Sequence, residues 1–421
     1  MVDETIREYF EYKKKEVYNM LKECLDNVPY YKENWNFKLP EYKNFDYDFF
    51  YNNVPFLDKK TVREQEKLLL SNKMNIDQVL VETTSGSEGK PMNCYKSKSD
   101  ILKYSKDLWD ARRAVVSDIT PKDKFVHFYL ARRRISNVIT NKIVYENNVL
   151  HLPLFNLSVD VLKMYWDEIL KFKPRWMHGS PAMVYNLGRI VEEYNLPNYS
   201  FELVELTGEF LDEEKKTFIE RIFNCKVTNQ YGAREFWLLA YGCHAGKIHI
   251  NDKSVFVESI YNDEYGDYEL IITSLKNMTW PLVRYKIGDL GRVTKDGCNC
   301  NIDSTFFLEL KEGRSSEIIQ IGDKKISSVY FSFIARQINE KLNGLVIKQH
   351  QILRNNDNVI KINIVGDEKY SSYILKEFEK HLKQLDSSIE VNIFFVKYIL
   401  PDNNTGKVKE VIEITGGGII E

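Results

Sequence analysis

The sequence predicts an α/β chain: a large N-terminal domain with parallel sheet flanked by helices, an attached antiparallel β part, and a small mobile α+β C-terminal domain. Three observations carry this reading. Short apolar runs alternate with amphipathic segments between residues 98 and 229, the pattern of strands joined by crossover helices. From 247 to 286 short strand patterns follow one another with no helix between them. Beyond Gly313-Arg314 two helix patterns and several strand patterns form a set of their own.

In chain order, residues 5–25 place Ile6, Phe10, Val17, Leu21 and Leu25 at helical spacing, which predicts an amphipathic N-terminal helix. Val54-Pro55-Phe56-Leu57-Asp58 leads into another helix, with Asp58 as its N-cap. Val79-Leu80-Val81 is a short apolar run before the glycine-rich stretch Thr83-Thr84-Ser85-Gly86-Ser87-Glu88-Gly89-Lys90-Pro91. A helix capped by Ser99 or Asp100 is then expected to run to about Ser117. Strands are expected at 125–130, 175–178, 201–206 and 226–229, and helices at 158–172, from Ser180-Pro181, and at 212–223. Shorter strands are expected at 248–250, 254–259, 268–273 and 282–286. After the boundary, 317–326 reads as a hairpin, 328–342 and 370–385 as helices, and 346–354, 359–365 and 389–396 as strands. Two helices on one face of a small antiparallel sheet is the arrangement expected there. The expected division is 1–313 and 314–421, with a hinge near 314–316.

Composition narrows the function. The 421 residues carry 59 Lys+Arg against 61 Asp+Glu, a net charge of -2, so nothing global points to nucleic acid or an anionic membrane. No apolar run approaches the roughly 20 residues of a membrane span, and the charged residues 1–20 lack a signal-peptide core. The chain reads as cytoplasmic. Its 6 cysteines show no spacing typical of a secreted disulfide framework.

The glycine stretch is the first functional signal. Two glycines three apart let the backbone fold tightly and turn successive N–H groups onto an anion. Hydroxyls on Thr84, Ser85 and Ser87, with Lys90 beside them, suit a phosphate. A polar turn between two elements would read the same from this stretch alone. A Walker-type loop does not fit: only two residues separate the glycines, and Pro91 follows Lys90.

Three further stretches follow in order: Asn229-Gln230-Tyr231-Gly232-Ala233-Arg234-Glu235, then Arg284-Tyr285-Lys286-Ile287-Gly288-Asp289-Leu290-Gly291-Arg292, and last Gly313-Arg314 with Thr405-Gly406-Lys407. Together with the glycine stretch they resemble the adenylate-forming superfamily of acyl-CoA synthetases, peptide-synthetase adenylation domains and luciferases. Within it, the chain is most similar to the phenylacetate–CoA ligase branch, especially relatives in capsular-polysaccharide loci. The resemblance spans essentially the whole chain, and Val54-Pro55-Phe56-Leu57-Asp58-Lys59 also matches that branch.

The resemblance implies ATP-dependent activation of a carboxylic acid to an acyl-adenylate, with pyrophosphate released. The acyl group would then pass to coenzyme A, or to an amine or sugar. By the same resemblance, Thr84, Ser85, Gly86, Ser87 and Gly89 would hold the β- and γ-phosphates, and Tyr231, next to Gly232, would stack on adenine. Gly208 and Glu209 match a segment beside the adenine. Asp289 would accept both ribose hydroxyls, and Arg314 would reach the ribose or phosphate. Glu235 would help bind Mg²⁺, Arg234 would contact the α-phosphate, and Lys407 would bridge the substrate carboxylate and the α-phosphate. Three departures from the family pattern stand out: Glu88 for Thr, Arg234 for Thr, and Ser316 for Asp at the hinge. Glu88 and Ser316 keep open a non-catalytic nucleotide-binding module.

Cys243, His244, His249, Cys298 and Cys300 cluster between the second stretch and the hinge. By residue type they suit either a metal site or buried thiols with surface imidazoles. The branch resemblance favours a structural Zn²⁺ on Cys243, His249, Cys298 and Cys300, with His244 outside it. Arg132-Arg133-Arg134 follows a predicted strand and reads as a solvated turn or as an anion site. The partners expected are a small carboxylic acid, coenzyme A or an amine or sugar acceptor, and, as one option, a second copy of the chain in a homodimer.

Overall fold

The computed structural model describes residues 3–84, 92–129, 134–135, 138–139, 142–153, 158–211, 213–263, 267–314, 318–321, 324–327, 329–344, 346–354, 359–396, 399 and 411–413. A mixed sheet of 12 strands runs through it. Its parallel part is ordered Val149–Pro153, Phe125–Tyr129, Trp176–Gly179, Leu203–Thr207, Lys226–Tyr231. Helices Val159–Phe172, Pro181–Glu193 and Glu213–Phe223 share one buried cluster with Val126, Leu150, Met177 and Val204 of this sheet. The helix Lys98–Val115 lies over the opposite face, where Val115 packs with Trp176 and Leu203.

The alternation of strand and helix reflects legible end signals. Ser158 and Ser180 accept hydrogen bonds from Val161 and Met183 N–H, and Pro181 occupies the first turn. The helix at 98 starts earlier than expected. Ser97, not Ser99 or Asp100, is the cap, because Asp100 returns its carboxylate to the Ser97 N–H in a capping box.

The strands after 240 are continuous with the parallel ones. Ala240–Gly242 pairs antiparallel with Lys226–Tyr231, and Ile248–Ile250, Phe306–Arg314, Tyr285–Lys295, Asp267–Ser274 and Val255–Asn262 extend the sheet outward. The strand Tyr285–Lys295 is longer and begins later than the expected 282–286, so it contains most of the Asp289 stretch.

The N-terminal helix Glu4–Asn27 is capped by Asp3. It packs on the antiparallel part together with Tyr31, Tyr47 and Phe50. The Tyr9 hydroxyl donates to the Val255 carbonyl at 3.1 Å, Tyr31 to Pro281 at 2.8 Å, and Tyr47 to the Glu258 carboxylate at 2.9 Å.

A separate buried cluster draws only on residues from Ile319 onward. It covers a sheet ordered Glu390–Phe395, Val359–Gly366, Ile347–Arg354, Val411–Glu413. This sheet is mixed and not antiparallel as expected. Only its central pair is antiparallel, because the helix Ser371–Lys383 carries the chain across to a parallel partner.

Candidate functional site

Tyr231 ends the strand Lys226–Tyr231, and its parallel neighbour Leu203–Thr207 leads directly into Gly208 and Glu209. Gly208 has φ +85°, and both residues are exposed. The Tyr231 hydroxyl donates to Asp289 Oδ2 at 2.7 Å. Asp289 in turn pairs across the ladder with Arg314, the last residue of Phe306–Arg314. Three predicted residues from distant stretches thus meet at one sheet end. A carboxylate offers about four acceptor positions on its two oxygens, the chemistry that suits a pair of hydroxyls.

The turn after Tyr231 admits only glycine at its first position: a Cβ on Gly232 would lie 2.0 Å from the Trp237 carbonyl oxygen. Trp237 N–H donates back to the Ala233 carbonyl at 2.6 Å, which turns Glu235 inward. Glu235 is buried and accepts from the Tyr285 hydroxyl at 3.0 Å. One carboxylate so held fits Mg²⁺, which binds one or two protein carboxylates and completes its shell with phosphates and water.

Arg234 does not contact Glu235 or Asp289 in the described interactions; its Nη1 lies 3.6 Å from Glu82 Oε1. Lys96, wholly buried, donates to Glu82 Oε2 at 2.8 Å and to the Arg234 carbonyl at 2.5 Å. Trp237 Nε1–H donates to Glu82 at 2.7 Å. Burial alone would push Glu82 up, but Lys96, by charge and hydrogen bond, then Trp237 and Arg234, hold it below the usual carboxylate range. Glu82 and Lys96 lie on the antiparallel strands Val79–Thr83 and Asn93–Ser97 that flank the glycine stretch. Thr84 closes the neck: its N–H donates to the Met92 carbonyl at 2.8 Å and its hydroxyl accepts from Met92 N–H at 3.0 Å. Ser85, Gly86, Ser87, Gly89 and Lys407 lie outside the described residues, as do Glu88, Ser316 and the Arg132-Arg133 pair. Arg314 is described in its backbone alone.

The thiol–imidazole set forms one compact group. The ligand atoms of Cys243, His249, Cys298 and Cys300 all lie within 4.8 Å of one another. Cys243 Sγ is 3.7 Å from Cys298 Sγ, and Cys300 Sγ is 3.1 Å from His249 Nε2. Tetrahedral zinc with bonds of about 2.3 Å to sulfur and 2.0 Å to nitrogen has ligand–ligand edges of roughly 3.5–3.8 Å, so the set fits the ion with small adjustments. His249 Nδ1 is 3.0 Å from the Ser304 carbonyl; Nδ1 therefore carries the proton, and Nε2 is the ligand nitrogen. Burial lowers the His249 pKa, which favours the neutral ring a metal needs. Burial raises the Cys300 thiol to about 12, so an ion binding there would release its proton. His244 is exposed and lies outside the group.

No family model matches the chain. It is 24% identical over 376 residues to Protein CapK of Staphylococcus aureus, covering 86% of this chain and 80% of that protein. It is 26% identical over 275 residues to indoleacetate–lysine synthetase of Pseudomonas savastanoi, covering 61% of this chain and 64% of that enzyme. The solved structure of 2-hydroxyisobutyryl-CoA ligase, in the postadenylation state with R3-HIB-AMP, matches with a TM-score of 0.69 at 15% identity, over 95% of this chain and 88% of that one. The chain has the adenylate-forming ligase fold.

The family resemblance assigns no role to Tyr285, Lys96, Glu82 or Ser304. Tyr285 lies inside the Arg284–Arg292 stretch, next to Arg284. Lys96 and Glu82 were detectable only as opposite charges on either side of a predicted loop. Ser304 acts through its carbonyl, which no side-chain pattern reveals.

Proposed function

We propose that the protein is an AMP-forming ligase that activates a small carboxylic acid as its acyl-adenylate and passes the acyl group to an acceptor. The observation that carries this is the 2.7 Å bond between Tyr231 and Asp289, 58 residues apart, beside the buried Glu235. A stacking ring, a ribose acceptor and a cation-binding carboxylate at one sheet end suit a nucleoside triphosphate.

A carboxylate is a poor electrophile, and its attack on ATP brings two anions together. Donors and cations must neutralise charge on phosphorus and on departing pyrophosphate. In this reading Glu235 holds Mg²⁺, which supplies charge to the phosphates, while the glycine stretch gives N–H donors. Arg234 leaves Glu82 for the α-phosphate, and Lys407 approaches from the C-terminal domain, 314–421, which alternates about a hinge near 314–316. Cys243, His249, Cys298 and Cys300 hold a structural zinc.

Coenzyme A is the acceptor favoured by the branch resemblance. An amine acceptor is the second reading, favoured by the similarity to a synthetase named for joining indoleacetate to lysine; a sugar is the third. Carboxylate-dependent ATP–pyrophosphate exchange over a panel of acids tests the first step, and AMP release with coenzyme A present or absent tests the second. Nucleotide binding without exchange on any acid would instead indicate a non-catalytic module.

A further inference from the structure

One face of the parallel sheet is unlike the other. Val126, Leu150, Met177 and Val204 form an apolar row against the helices on one side. The next residue of each strand is His127, His151, His178 and Glu205, and these are also in register with one another. Four adjacent strands thus present three imidazoles and a carboxylate in one polar row. Polar side chains on the inner face of a sheet are costly unless they find partners.

Part of the row is structural. Glu205 is fully buried, receives two hydrogen bonds from Arg112 at 2.8 and 2.6 Å, and accepts from Tyr241 at 2.6 Å. Burial would push Glu205 up, but Arg112 and then His178 hold it well below the usual carboxylate range. Ionised, it can only accept, so His178 Nδ1 at 2.9 Å carries the proton. That network does not require imidazoles on the next two strands. There His127 Nδ1 is 3.2 Å from His151 Nδ1, and His151 Nε2 is 3.5 Å from Glu146.

The row lies within two residues of the strand ends at which an open α/β sheet receives ligands. The chain moves from Phe125–Tyr129 to Val149–Pro153 on one side and then to Trp176–Gly179 on the other. In open α/β sheets such a reversal bounds a crevice at the strands' C-terminal ends. His151 and His178 retain 13% and 20% side-chain exposure, so solvent reaches them. On the same face and one step nearer the ends, Gln230 stands in register with Thr207, and its buried Oε1 has no partner among the described residues. With Nδ1 given to Glu205, His178 has Nε2 left for a ligand. Gln230 Oε1 is an acceptor for a donor on that ligand.

We propose that this crevice, floored by His127, His151 and His178 and edged by Gln230, receives the acyl group, and that the acid activated there carries a hydroxyl or amino donor on its acyl portion. The inference rests on the ligase reading above and names its substrate class.

The test is acid-dependent ATP–pyrophosphate exchange with the full chain and matched pairs: hydroxybutyrate against butyrate, hydroxyphenylacetate against phenylacetate, aminobenzoate against benzoate, in every ring or chain position. A site built to bond a donor rejects the analogue lacking it by large factors, so at least one substituted acid should exceed its parent by about tenfold or more in kcat/KM. His178→Leu should reduce that ratio to within about threefold of unity while leaving the KM for ATP unchanged. His127→Leu, which leaves the Glu205 network intact, should reduce the same ratio if His178→Leu does not fold. Exchange that favours the parent acids, or does not distinguish them, overturns the inference and leaves the ligase reading standing. A ratio unmoved in the folded variants also overturns it. No exchange with any acid, by protein that binds ATP, overturns both.

Discussion

The thiol–imidazole group and the Tyr231–Asp289 corner are built alike and end differently. Each joins side chains more than 50 residues apart: Cys243 and Cys298 are separated by 55 positions, Tyr231 and Asp289 by 58. In the first, four ligand atoms face one another, and the Ser304 carbonyl fixes the ring of one of them, His249. In the second, Asp289 accepts from the Tyr231 hydroxyl, and Gly208 and Glu209 stand exposed at the end of the strand neighbouring Tyr231. A closed donor set spends all its valence on the ion it holds, whereas a substrate site keeps some for the ligand.

Disrupting each region separately should therefore give effects that do not mix. The largest expected effect is on catalysis by the open site. Lys407→Ala should lower pyrophosphate exchange by roughly three orders of magnitude or more, the scale of a lost transition-state cation. ATP binding and acyl transfer from a supplied acyl-adenylate should survive. Equal loss of both half-reactions in folded protein would sink the role given to Lys407 and the domain alternation with it.

Next is Asp289→Ala, which should raise the KM for ATP by about 10–100-fold, as expected when hydrogen bonds to a charged group are lost. Tyr231→Phe keeps the ring and should cost about tenfold or less. If the phenylalanine variant is the worse of the two, the hydroxyl matters beyond orienting Asp289. For the closed site, protein purified without chelator or affinity metal should contain one zinc per chain by metal analysis. Cys298→Ser should lose the ion and lower Tm by several degrees, yet leave the KM for ATP within about twofold. A stoichiometry near zero removes the metal; a large change in KM erases the distinction between the two regions. The smallest effect expected is from Glu88→Thr. It should tighten ATP binding by a few-fold if that carboxylate faces phosphate, and unchanged binding would mean that it faces solvent.

The sequence disclosed the helix ends at Asp58, Ser158 and Ser180 because a cap is a local event, decided by one side chain and the next three N–H groups. It was less informative where pairing is remote. Phe306–Arg314 owes its strand to Tyr285–Lys295 and to His249 opposite Phe307, partners that no local pattern names. The edge strand Val144–Glu146 is half exposed and shows no apolar run. Tyr231 and Asp289 were found by resemblance to family stretches, and no spacing rule would have brought them together. The histidine row was hidden for a related reason. Each imidazole occupies the middle of a short strand, and only the register of three strands aligns them.

The tyrosines of the N-terminal segment set a schedule for synthesis. Tyr31 reaches across 250 positions to Pro281, and Tyr9 across 246 to Val255. At roughly 5–20 residues per second, that chain takes on the order of 10–50 s to follow. Until then the apolar stripe of Glu4–Asn27, with Tyr9, Phe10, Val17 and Leu21, has no sheet to lie on. An element made long before its partners is among the last to be covered, and during that interval the nascent chain exposes a greasy helix to whatever chaperone or neighbouring chain is near the ribosome.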